Sequence, residues 1–100
     1  MKSTMLCAAL IAAALPTLAF AGPVERACMR SDRASANSQV CSCIQRAADA
    51  TLSGSDQRRA AKFFADPDRA QTTRVSRTDS DNAFWTRYRA FGQAAQSYCS

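Results

Sequence analysis

Residues 38–45 read SQVCSCIQ, and this stretch decides the fold. Cys41 and Cys43 are two positions apart in a segment without glycine or proline, a composition that favours a helix. At about 100° per residue their side chains point about 200° apart, so they leave the helix on nearly opposite sides. Ile44 lies between them on the shorter arc. The stretch therefore predicts a helix that buries Ile44 and is joined by a disulfide to a neighbouring helix on each flank.

Apart from Cys7, which lies in the N-terminal apolar run treated below as a signal peptide, the remaining cysteines are Cys28 and Cys99, and these are the expected partners. A bridge between Cys41 and Cys43 themselves is disfavoured, because side chains two positions apart on a helix diverge. Two pairings remain: Cys28–Cys41 with Cys43–Cys99, or Cys28–Cys43 with Cys41–Cys99. An antiparallel hairpin of the first two helices, turning near Ala34–Ser35, would place Cys28 opposite Cys41. A hairpin of this kind favours the first pairing, and the second pairing stays open.

The N-terminus is typical of an export signal. Lys2 supplies a positive charge, an apolar run follows from Met5 to Leu15, and Ala19-Phe20-Ala21 fits the small-x-small rule for cleavage. The run is about half as long as a bilayer span, so an uncleaved anchor is the less favoured alternative. The sequence predicts residues 1–21 as a cleaved signal peptide and residues 22–100 as one domain without a transmembrane segment, in the periplasm or outside the cell.

The composition favours an all-α fold. The chain has 100 residues with only three glycines, and it shows no strand-like alternation. A single core of this size is marginal without covalent help, and an even number of cysteines after the signal indicates a disulfide framework. We therefore predict four or five short helices held by two disulfides. Capping signals place their starts at Pro23, Ser38 (ending near Leu52), Ser55, Pro67 (with Asp66 as the cap) and Asp79 (ending near Tyr98).

The predicted last helix carries the clearest apolar pattern. Thr78 and Asp81 resemble a capping box at its start. Trp85 flanks the apolar stripe, one helical turn before Arg89, which makes it the candidate surface aromatic residue. The stripe predicts a core face, and a ligand-binding aromatic row is the alternative. Its members are Phe84, Tyr88, Phe91, Ala95 and Tyr98.

The net charge of +5 comes almost entirely from arginine, with eleven arginines and two lysines. Arg58 and Lys62 lie one helical turn apart, and Arg87 and Arg89 form another close pair. Because guanidinium groups suit carboxylates and phosphates, these residues predict an anionic partner, such as a lipid headgroup, an acidic polysaccharide or an acidic protein. The alternative is a solvated face with pairs to aspartates within the chain. Nucleic acid is disfavoured by the predicted location.

The residue types also limit the chemistry. The chain has no histidine, so the usual zinc, copper and haem ligand sets are missing, and no Ser–His or Cys–His nucleophile can form. A four-thiolate zinc site would need closely paired cysteines and a reducing compartment. We therefore predict no metal, no cofactor and no enzymatic activity. The remaining reactive alternative is a thiol–disulfide pair formed by Cys41 and Cys43 near a helix start.

Five segments together resemble a small family of exported bacterial proteins, some members of which carry the name arginine transporter. They are Gly22–Cys28 (GPVERAC), Cys41–Gln45 (CSCIQ), Ser55–Ala61 (SDQRRAA), Phe84–Gly92 (FWTRYRAFG) and Tyr98-Cys99. The resemblance covers essentially the whole of the predicted mature chain. It implies a periplasmic part in amino-acid uptake, as an accessory component, and it carries over no catalytic residues.

These observations predict an exported helical binding or interaction protein, whose partner is an anionic surface or another periplasmic protein. The structural residues are the four cysteines that follow the predicted signal peptide, Cys28, Cys41, Cys43 and Cys99. The candidate partner-binding residues are Arg58, Lys62, Arg87, Arg89 and Trp85. An accessory role in arginine uptake and a thiol–disulfide role remain as alternatives.

Overall fold

A computed structural model of the chain describes residues 21–31 and 36–99. Within these ranges the protein is all-α and has no strand, as predicted. The turn expected at Ala34–Ser35 and the predicted signal peptide up to residue 20 lie outside the described residues. The helices are α1 (Pro23–Arg30), α2 (Ser38–Thr51), α3 (Gly54–Ala65), α4 (Pro67–Arg74) and α5 (Asp79–Cys99).

Two helix starts differ from the prediction by one residue. The side chain of Asn37 accepts the backbone N–H three residues further on at 2.9 Å, so the cap of α2 is Asn37 rather than Ser38. Ser53 caps α3 in the same way at 3.2 Å, and α3 begins at Gly54 instead of near Ser55. Both shifts have the same cause. Asn37 and Ser53 have an extended backbone and a polar side chain that accepts one of the free N–H groups of the first helical turn, so each is the N-cap of its helix.

The start of α5 uses only half of the predicted capping box, whereas α4 begins at Pro67 as predicted. The hydroxyl of Thr78 accepts the backbone N–H of Asp81 at 3.2 Å, but the N–H of Thr78 is bound by Ser76 at 3.3 Å. The carboxylate of Asp81 accepts a hydrogen bond from Arg59 of α3 instead. A contact with α3 takes the place of the predicted bond from the Thr78 N–H to the Asp81 carboxylate.

Helix α2 lies at the centre, packed against α1 on one side and α5 on the other, while α3 closes over α1. Ile44 is only partly buried against the core.

On α5, Phe84 and Phe91 are buried as predicted, but Tyr98 is 80% exposed, which corrects the prediction of a core stripe at that end. Tyr98 lines a cavity together with Arg46, Cys43 and alanines of α2 and α5, so its described neighbours there include no other aromatic residue that could pack on its ring. The core consists of Val24, Ala47, Ala48, Leu52, Ala60 and Phe91.

The two disulfides join α2 to its two neighbours. Cys28 and Cys41 are bridged with their Cα atoms 5.5 Å apart, and Cys43 and Cys99 with theirs 5.7 Å apart. The favoured pairing is confirmed. The first bridge is buried, with 3% and 0% of its two cysteines exposed, whereas both cysteines of the second are partly exposed.

A buried glutamine ties three helices together. The Oε1 atom of Gln45 accepts the backbone N–H of Glu25 at 2.8 Å, which satisfies a first-turn donor of α1. Its Nε2 atom donates to Asp49 at 2.9 Å and to Gln57 of α3 at 2.7 Å. Gly22 packs so closely that a Cβ atom there would lie 2.4 Å from the carboxamide of Gln45. The start of α1 is therefore capped by a side chain from another helix.

Candidate functional site

A groove of about 480 Å³ runs between α1 and α3. Its charged residues are Arg26 and Arg30 from α1 and Arg58 and Lys62 from α3. None of the described residues that line the groove is acidic. The remaining lining residues are Pro23, Ala27, Ser31, Ala61, Phe64 and Ala65.

The groove is cationic because two pairs of basic residues face it from adjacent helices. Arg26 and Arg30 are one turn apart on α1, and Arg58 and Lys62 are one turn apart on α3. Like charges at this spacing destabilise a helix by about 0.2–0.5 kcal/mol per pair. A concave site lined by one sign of charge also focuses the field and attracts counter-ions. The arrangement thus costs a little stability and favours anions.

All four groove cations are exposed residues. Arg26 donates to the backbone carbonyl of Ala21, and the Nε atom of Arg30 donates to the carbonyl of Arg26 at 3.4 Å. Among the described residues, the ion pairs involve other arginines and leave the groove cations without a carboxylate. Their charge is therefore not neutralised within this part of the protein.

Arg87, by contrast, is held within the chain. Its Nε and Nη2 atoms donate to the two carboxylate oxygens of Asp56 at 2.6 and 3.2 Å, and this hydrogen bonding raises the pKa of Arg87 above its ordinary value. Arg59 is similarly held: it donates to Asp81 at 2.5 Å, and this bond lowers the pKa of Asp81. Among the described residues, therefore, Arg59, Arg69 and Arg87 pair with aspartates, and the groove arginines do not.

The predicted partner-binding residues fall into two places. Arg58 and Lys62 lie together in the groove, whereas Trp85, Arg87 and Arg89 all lie on α5, outside it. Trp85 is partly buried, with its ring centroid 5.1 Å from that of Tyr88. Arg89 is exposed. The structure therefore does not bring the predicted set into one site.

Arg26 and Arg30 are not among the partner-binding residues that the sequence predicts. Their spacing of one helical turn matches that of Arg58 and Lys62, and this match was the available signal. The spacing alone does not show that α1 packs on α3. This packing brings the two pairs of basic residues to the same groove.

A second cavity of about 390 Å³ lies on the α4 side of α3 and also includes Arg58 and Lys62. Its other two cations are already engaged, because Arg59 pairs with Asp81 and Arg69 pairs with an aspartate at 3.5 Å. The α1–α3 groove is therefore the better anion site.

The cysteines offer no metal site in the part of the chain that is described. All four are consumed in bridges, and no three His, Cys, Asp or Glu side chains there come together in a way that could hold an ion. Cys41 and Cys43 belong to different bridges. None of the helices in the described ranges is long and apolar enough to cross a membrane.

Comparisons with known proteins add nothing to the geometry of the groove, so a proposal for the function depends on that geometry. No family model matches the chain, and neither a curated protein nor a solved structure does. The resemblance to the proteins named arginine transporter therefore stays a prediction.

Proposed function

We propose that this chain is an exported, non-enzymatic binding protein whose α1–α3 groove holds an anionic group of its partner. The observation that supports this proposal is the meeting of four basic side chains from two helices in a groove whose described lining residues include no carboxylate. Guanidinium forks bind carboxylates and phosphates in a bidentate manner, with charge-assisted hydrogen bonds.

Export is part of the proposal. We infer cleavage after Ala21 and a location in the periplasm or outside the cell. Two disulfides in a small domain are typical of an oxidising compartment, which supports this location.

The groove favours an anion over free arginine. Recognition of the cationic side chain of arginine would need carboxylates or an aromatic cage. The described lining residues include no carboxylate and a single aromatic residue, Phe64. An accessory role in amino-acid uptake would therefore depend on another partner or another surface.

The test replaces the two groove cations of α3 and compares binding to three anionic probes: polyglutamate, vesicles with an anionic lipid, and dodecyl phosphate. In the double variant Arg58→Gln/Lys62→Gln, we expect binding to at least one probe to weaken by at least tenfold, because charge-assisted hydrogen bonds are lost. Binding by the unchanged protein should also weaken as salt is raised.

The matched control is Arg74→Gln/Arg77→Gln, which removes the same charge from exposed positions outside the groove. This control variant should bind each probe with an affinity within about twofold of that of the unchanged protein. The proposal fails if no probe binds at low salt, or if the control weakens binding as much as the groove variant does.

A further inference from the structure

Apolar side chains line the groove together with the four basic residues. Ala27 of α1 and Ala61 of α3 lie on its walls together with Phe64, which is partly buried against the core. The alanines are too small to fill the space between the helices, and the long basic side chains can keep their charged ends in water while their stems cover apolar surface. The resulting volume of about 480 Å³ lies within the range of small-molecule sites.

We propose that the groove binds a single-chain anionic amphiphile, a carboxylate or phosphate carried on a hydrocarbon chain. This inference rests on the proposed function and narrows its ligand. The head would bind at Arg58 and Lys62, and the chain would cover Ala61 and Phe64.

Two alternative ligands use only half of the site. A hydrophilic polyanion would bind the cations and leave the apolar walls in water, whereas a neutral lipid would cover the walls and leave the cations unused. Only an amphiphile removes the apolar wall from water and also places a negative charge among the basic groups.

The ligand is proposed as a free molecule rather than part of a bilayer. The large apolar residues that are exposed within the described ranges are Met29, Val75 and Tyr98, which lie on α1, after α4 and at the end of α5. None of the three lines the groove, so the groove itself presents no large exposed apolar residue that could insert into a membrane. The concave groove suits one chain at a time.

The first experiment measures binding by calorimetry with the whole exported protein, at ligand concentrations below micelle formation. We expect dodecyl phosphate to bind at least tenfold more tightly than inorganic phosphate. Decyl phosphate should bind roughly tenfold more weakly than dodecyl phosphate, if both lost methylenes are buried. Dodecyltrimethylammonium, which has the same chain with the opposite charge, should bind at least tenfold more weakly than dodecyl phosphate.

The second experiment fills the groove with Ala61→Leu, and Ala83→Leu on the exposed face of α5 is the control. The groove variant should bind dodecyl phosphate about tenfold more weakly than the unchanged protein does, and the control variant should bind it as tightly as the unchanged protein. Binding of polyglutamate by the groove variant should change less than twofold, because that probe needs only the charges.

The outcomes separate the two proposals. The protein could bind phosphate and dodecyl phosphate with equal affinity, and Arg58→Gln/Lys62→Gln could still weaken the binding of both. This result would overturn the proposal of an amphiphilic ligand and would leave the proposal of an anion-binding groove standing. Binding to anionic vesicles but not to monomeric dodecyl phosphate would also overturn it. The absence of binding to every anionic probe would overturn both proposals.

Discussion

At the scale of single residues, Gln45 holds the most demanding position in the molecule. It is 6% exposed and bonded to α1, α2 and α3 through one carboxamide. No buried side-chain nitrogen or oxygen in the described ranges lacks a hydrogen-bond partner, so displacing this group would leave several others unsatisfied. Leaving buried polar groups without a hydrogen-bond partner lowers the free energy of unfolding by more than the intact hydrogen bonds contribute to it.

The close approach of Gly22 makes this testable. A methyl group from Gly22→Ala would overlap the carboxamide of Gln45, so we expect the free energy of unfolding to fall by about 1–3 kcal/mol. The control is Gly92→Ala in the middle of α5, where a Cβ atom would meet nothing within 4 Å. It should raise stability by about 0.5–1 kcal/mol. Urea unfolding measures both, and equal changes would contradict the account.

At the scale of helices, α5 divides its residues between packing and surface. Phe84 is 1% exposed, lies 5.9 Å from the ring of Phe63 and has the guanidinium of Arg59 4.3 Å from its centroid. Its neighbour Trp85 is only partly buried. Adjacent aromatic residues on one helix therefore differ in what they contribute.

We expect Phe84→Ala to lower the free energy of unfolding by about 3–5 kcal/mol, because it opens a cavity in the aromatic cluster. Trp85→Ala should cost about 1–2 kcal/mol, since part of its ring is already in water. Urea unfolding of the two variants checks the order. A cost for Trp85→Ala equal to that for Phe84→Ala would mean that Trp85 belongs to the core.

The helix ends were largely predictable, because the chemistry of a cap is local. Pro67 and Thr78 lie where the sequence places them, and Asn37 and Ser53 shift their helix starts by only about one residue. The disulfide pairing followed from the opposite directions of Cys41 and Cys43 on a helix and from the hairpin argument.

The contents of the candidate site were only partly predictable, because they depend on which helices meet. Arg58 and Lys62 were recognised from their spacing, but their partners Arg26 and Arg30 are more than twenty residues away in sequence. The pairing of Arg87 with its aspartate also spans 31 residues. No local pattern indicates which of several exposed arginines will find a carboxylate.

At the scale of the whole molecule, both disulfides converge on α2. They join α1, α2 and α5 covalently, whereas α3 and α4 are held by packing, by Gln45 and by ion pairs. Closing loops of 13 and 56 residues contributes about 3 and 4 kcal/mol in the chain-entropy view. These are large contributions beside a total stability of about 5–15 kcal/mol.

We expect graded reduction to open Cys43–Cys99 before Cys28–Cys41, because only the second bridge is accessible to a thiol. Alkylation followed by mass analysis should find an intermediate labelled at Cys43 and Cys99 alone. Simultaneous opening, or the reverse order, would contradict this expectation. An opening potential near about −120 to −200 mV, the range of thiol–disulfide exchange proteins, would support the redox alternative.

The convergence of the bridges on α2 has a mechanical consequence. Only Ser42 separates the two bridged positions of that helix, so tension applied to both ends of the domain would travel from α1 through sulfur into α2 and out through sulfur to α5. α3 and α4 lie inside the loop closed by the second bridge and would carry no load. The domain would therefore behave as a short, nearly inextensible link in which one wall of the groove is on the path of the force and the other is sheltered from it.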